Sequence, residues 1–165
     1  MSTTTPSDLF LEREFRVASD ARIRFLLAKE RMQNVSGWSN PAGAPALIIS
    51  LVENNGATVQ FPPSEGNYIV ITNPDAGEAL RLQINRIEEN SMDTHDEYGI
   101  FLSSAVLDVN EQPTTISIIL RRSSERLSFE SHIYRTRNSS DYREEHIART
   151  LMPVLDALAK GLIEQ

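Results

Sequence analysis

Cysteine is missing from this chain altogether. That one absence excludes a disulfide scaffold, a thiolate zinc site and a cysteine nucleophile, and it fits a reducing compartment. Residues 1–8 are polar and carry neither the basic nor the apolar segment of a secretory signal. No run comes near the roughly 18 consecutive apolar residues of a membrane span, so a cytoplasmic protein without a membrane span is expected. Histidine is scarce as well: His95, His132 and His146 are far apart and form neither His-x-x-x-His nor His-Glu-x-x-His, so no metal site is expected. There is no Gly-x-Ser-x-Gly, and the pairs Ser103-Ser104, Ser123-Ser124 and Ser139-Ser140 fall in strand, turn and cap positions. Gly66 is an isolated turn glycine and no phosphate loop exists, so no cofactor is expected. Positive charge is also in deficit, with 16 Lys and Arg against 23 Asp and Glu and a net charge of -7. That balance works against a polyanionic nucleic-acid partner. Arg121, Arg122, Arg126, Arg135 and Arg137 do cluster, but Glu125 and Glu130 accompany them, and the group reads as solvated strand edges.

What is present is the material of one globular domain. A chain of 165 residues, 40% hydrophobic and 24% charged, can bury about 70% of its unfolded surface and needs no staple. Residues 1–8 read as a disordered tail and 9–165 as a single α+β domain. Residues 11–17 alternate like a first strand, although Arg13 interrupts the apolar face. Ser19 and Asp20 then read as the cap and first turn of a helix to about Asn34, with Ala21, Phe25, Ala28, Met32 and Val35 along one stripe. Residues 39–45 read as a loop. Strands follow at 46–53, 57–61, 67–72 and 80–87, and again at 98–109, 114–122 and 125–137, with 88–97 as a polar, acidic loop. Short connections without helices imply an antiparallel meander. Asp141 with Glu144 resembles a capping box. It opens a long amphipathic helix on which Ile147, Leu151, Val154, Leu155, Leu158 and Leu162 share a face, with a kink expected at Pro153.

Gly37-Trp38, the Asn54-Asn55-Gly56 turn, Gly66-Asn67-Tyr68, and the run 116–122 leading into 129–138 recur in a familiar order. In that order and spacing the chain resembles the START-like helix-grip (SRPBCC) superfamily, which includes polyketide cyclase-like and plant pathogenesis-related proteins, and a bacterial group within or near it. The resemblance implies a curved antiparallel sheet of about six to seven strands wrapped on the long C-terminal helix, with an N-terminal helical segment. It also implies a cavity between sheet and helix for a hydrophobic or amphipathic small molecule. The chain departs from the pattern in its poor first strand and in having one helix where the family has two short ones.

For such a cavity the candidate ligand-binding residues are Phe25, Trp38, Phe61, Tyr68 and Phe101, with Leu151 and Leu155 on the helix. The competing reading of any one of these aromatics is ordinary core packing. If the cavity exists, Ala28→Trp should weaken ligand binding more than stability. A cyclase- or isomerase-like enzyme is the alternative. Strand alternation puts Glu130, His132 and Tyr134 on one face, a set able to do acid–base chemistry if that face is concave. A solvent-facing strand surface is the plainer reading, and His95 reads as a solvated loop residue. A third alternative is a protein-interaction or co-chaperone module, marked by a contiguous exposed apolar patch without an internal cavity. An unpaired strand edge also leaves a homodimer open.

Overall fold

In the computed structural model, described for residues 8–38, 47–75, 77–104, 114–134 and 141–164, seven strands and two helices form two layers. The strands are β1 (Asp8–Glu14), β2 (Ile48–Val52), β3 (Tyr68–Asn73), β4 (Gly77–Ser91), β5 (His95–Ser104), β6 (Thr115–Ser123) and β7 (Arg126–Tyr134). The helices are α1 (Ala18–Gln33), followed by a 3-10 turn at Val35–Gly37, and α2 (Asp141–Ile163). All pairings are antiparallel and the order is β1-β7-β6-β5-β4-β3-β2, so the first strand joins the last and β1 and β2 are the edges.

Alternation decides which face is covered. Ile69, Ile71, Leu82, Ile84, Ile100 and Leu102 from β3–β5 point inward with Ile116, Ile118, Leu120, Leu127, Phe129 and Ile133 from β6 and β7. They meet Phe25, Ala28 and Met32 of α1 and Ile147, Leu151, Val154, Leu155, Leu158 and Leu162 of α2. α2 is one helix through Pro153, which lies on its exposed side. In β4, Ile84 and Ile87 are three apart and would oppose each other in a regular strand. A bulge between Ile84 and Arg86 supplies the extra residue and returns Ile87 to the covered face, opposite Ile100.

Several expectations are corrected. Residues 88–97 are not a loop. β4 runs to Ser91 and β5 starts at His95, because Glu89 and Asp96 meet cations from distant elements, Lys29 and Arg122. The return strand at 57–61 reduces to a single bridge between Val52 and Thr58. β1 begins three residues earlier than its alternation implied, so Asp8 pairs with His132 instead of ending a tail. α1 starts at Ala18 with Val17 as N-cap and no side-chain cap bond, which leaves Ser19 inside the first turn. The tail 1–7, the loop 39–45, Arg135, Arg137 and Ser139-Ser140 lie outside the described residues, as do the side chains of Asp141 and Glu144.

Candidate functional site

The end of α2 is where the two layers are tied together. The last carbonyls of a helix have no partner within it, and here arginines from β1 and α1 supply donors. Arg24 Nε donates to the Leu162 carbonyl at 3.1 Å and Nη2 to that of Gly161 at 3.3 Å. Arg31 Nη1 donates to the Gly161 carbonyl at 3.1 Å, and Arg13 Nη1 to that of Ile163 at 3.3 Å. Cations at a helix C-terminus also complement its dipole. Burial, followed by the like charges of Arg31 and Arg13, lowers the Arg24 pKa from its ordinary value.

A recess opens beside this clasp. A cleft of about 620 Å³ lies between the end of α1 and the end of α2, with Arg31, Asn34, Leu158, Gly161 and Leu162 in its walls. A second, of about 510 Å³, continues from Arg31 and Asn34 to Leu27, Glu30 and Phe61. A third, of about 220 Å³, extends from Leu27 to Phe15, Ile23 and Arg24. The lining combines Leu27, Leu158, Leu162 and Phe61 with charged groups of both signs, Arg31 and Lys160 against Glu30 and Glu164.

The expected pocket residues are dispersed. Leu151 and Leu155 are fully buried in the packing between α2 and the sheet, and Phe25 is buried with them. None of these three side chains lines any of the three recesses. Trp38 is also core: its Nε1 donates to the Met32 carbonyl at 3.0 Å and so closes the end of α1. Tyr68 and Phe101 stand on the opposite, open face of the sheet, beneath the guanidinium groups of Arg81 at 5.7 Å and Arg86 at 4.2 Å. Phe61, half exposed, is the one of the seven that lines any of the three recesses.

Glu130, His132 and Tyr134 are brought together, on that same open face. His132 Nδ1 is 2.8 Å from Asp8 Oδ1, and Nε2 is 3.4 Å from Glu130 Oε2. The His132 and Tyr134 rings are 6.0 Å apart, and the Tyr134 hydroxyl is 3.4 Å from Ser117 Oγ. Glu130 also pairs with Arg121, which donates to Glu97 at 2.9 Å. Every member of the trio is thus held by a neighbour in a network spread across the sheet, away from the three recesses. His95 sits in β5, 3.6 Å from Glu97, and His146 is exposed on α2. Among the described residues no cluster of metal-ligand side chains occurs and no helix is long and apolar enough to cross a membrane.

Two buried charges escaped the sequence reading. Arg122 Nε donates to Asp96 Oδ2 at 2.6 Å, Ser91 Oγ donates to Asp96 Oδ1 at 2.6 Å, and both charged side chains are almost fully buried. Arg122 also donates to the carbonyls of Ser124 and Asp93, so one guanidinium fastens the β4–β5 turn to the β6–β7 turn. A signal existed: Ile116, Ile118, Leu120 and Arg122 recur with period two, which puts Arg122 on the covered face.

A seven-stranded curved antiparallel sheet holding a long C-terminal helix, with a second helix near the N-terminus, is a helix-grip architecture. No family model matches the chain, and no curated protein matches it in sequence. Among solved structures, a protein of Nitrosomonas europaea is similar over 94% of this chain and 93% of its own, with a TM-score of 0.47 and 16% identity. Ara h 8.0201 is similar over 96% and 98%, with a TM-score of 0.40 and 12% identity. A major latex-like protein of Panax ginseng is similar over 94% and 97%, with a TM-score of 0.38 and 10% identity.

Proposed function

We propose that this protein binds a hydrophobic or amphipathic small molecule, seated at the seam between α1 and the end of α2. The observation that carries this reading is the recess itself: about 620 Å³ running into about 510 Å³ through Arg31 and Asn34. Sites for small molecules usually measure roughly 300–1,000 Å³ and combine apolar walls with a few polar groups. On this reading the apolar body lies against Leu27, Phe61, Leu158 and Leu162, and the polar end faces the Arg31 guanidinium. The absence of cysteine supports a reducing, cytoplasmic setting. The test is native mass spectrometry of protein purified from its own host, followed by extraction of bound small molecules. A stoichiometric apolar adduct that Ala157→Trp expels supports the reading, since Ala157 lines the recess and is only partly buried. An adduct retained by that variant, or none at all, overturns it.

A further inference from the structure

Arg31 and Asn34 are the two residues shared by the larger recesses, so they stand at the passage from one to the other. The other charged groups each border one recess only: Glu30 on one side, Lys160 and Glu164 on the other. Lys160 is taken up by Asp156, 2.9 Å away. Arg31 commits Nη1 to the Gly161 carbonyl, and a guanidinium has further donors to offer. Asn34 is the exposed C-cap of α1. Ser36 Oγ, 3.4 Å from Asn34 Oδ1, occupies the acceptor end of the carboxamide, and Nδ2 has no hydrogen-bond partner among the described residues. Two N–H donors, one of them charged, thus meet at the passage.

Gly37 fixes where that carboxamide lies. Its backbone does not call for glycine, since positive φ among the described glycines occurs at Gly56, Gly66 and Gly77. What matters at position 37 is the missing Cβ. An atom there would stand 2.6 Å from Asn34 Nδ2 and 3.2 Å from Asn34 Cγ, so the amide lies in the space a side chain would fill. The backbone beneath is tied down: Gly37 N donates to the Asn34 carbonyl at 3.0 Å and Trp38 Nε1 to that of Met32. A methyl group at 37 therefore displaces the free end of one exposed side chain and leaves the turn in place. We propose that Asn34 selects the polar end of the ligand, a carboxylate received by Nδ2 and the Arg31 guanidinium, and that Gly37 is the positioning residue that makes room for the amide. The inference rests on the recess being the binding site. A carboxylate presents two oxygens, and donors from two side chains hold it in one orientation.

The test is calorimetric titration with dodecanoate, together with NMR of the side-chain amides in the free proteins. Asn34→Ala should raise the Kd about tenfold, the worth of one hydrogen bond to a charged group. Asn34→Asp, nearly the same in size, puts a carboxylate where the donor was and should weaken binding further. Gly37→Ala should move the Asn34 side-chain amide signals, leave the backbone spectrum of the sheet unchanged, and raise the Kd as Asn34→Ala does. Combining Gly37→Ala with Asn34→Ala should cost no more than Asn34→Ala alone, because Gly37 acts only through the amide. Wild-type affinity in Asn34→Ala or in Gly37→Ala overturns the proposal, as does a further loss from Gly37→Ala once the amide is gone. Those outcomes leave the recess standing as the binding site. No dodecanoate binding by the wild type overturns the recess reading itself, and this inference with it.

Discussion

Arg122 and Asp96 should carry a share of the stability out of proportion to their number. Their side chains are 1% and 2% exposed, and the 2.6 Å bond between them is supported by Ser91 on one side and by turn carbonyls on the other. Removing one partner of a buried pair costs about 3–5 kcal/mol, mostly because the other charge is left without compensation. Asp96→Asn retains a polar acceptor and leaves Arg122 its carbonyls, so about 3 kcal/mol is expected. Arg122→Met leaves the carboxylate only the Ser91 hydrogen bond and the weaker influence of the Arg22 charge, and frees the turn carbonyls, so about 4–5 kcal/mol is expected. With a urea slope of about 2 kcal/mol per molar, the midpoints should fall by roughly 1.5 M and 2–2.5 M. The pair Asp96→Leu with Arg122→Met should lose much less than the sum of the single changes, since nothing charged remains buried. The acid limb supplies a second readout. Burial pushes the Asp96 pKa up, but the Ser91 hydroxyl and the Arg122 guanidinium outweigh it and hold the group below its ordinary value. The stability it contributes is therefore present above about pH 3.9 and is lost as pH falls through the lower folded-state value, a loss that Asp96→Asn should blunt. Single changes costing under about 1 kcal/mol, or a double change equal to the sum, would refute the reasoning.

Three further outcomes follow from the packing. Arg24→Met removes charged hydrogen bonds to two α2 carbonyls, so stability should fall by about 1.5–3 kcal/mol, and amide exchange should quicken first in the last turn of α2. Ala28→Trp places a large ring in a close-packed layer, so thermal denaturation should show a loss of at least 1–3 kcal/mol, roughly, in place of the selective effect on binding that an open cavity would give. Trp38→Phe removes the donor to the Met32 carbonyl and should cost about 1–3 kcal/mol in urea denaturation.

The sequence disclosed the architecture where the pattern is local. The stripe from Ile147 to Leu162 demands a covered helix, and the alternation through Leu127, Phe129 and Ile133 demands a half-covered strand beside β6. It failed where a residue answers to a partner far along the chain. Arg13 looked like a flaw in β1 until the carbonyl of Ile163, 150 residues away, accounted for it. Asp96 looked like part of an acidic loop because Arg122 lies across the sheet. Aromatic character alone does not reveal which face of a strand a side chain occupies, and Phe101 and Tyr68 stand on the open face under Arg86 and Arg81. The recess is invisible in the sequence because it depends on two elements far apart in the chain. It forms where the end of α1 meets the end of α2, and neither helix shows it alone.

The most direct measurement of the central claim is a heteronuclear NMR titration with dodecanoate, an apolar chain with one anionic end. Binding at the helix seam predicts saturable shifts at the amides of Leu27, Arg31, Asn34, Leu158 and Leu162, all absent in Ala157→Trp. Shifts centred instead on Ile100, Ile118 and Leu151, where the sheet meets α2, would show that this packed interface opens to admit the ligand and would contradict the account.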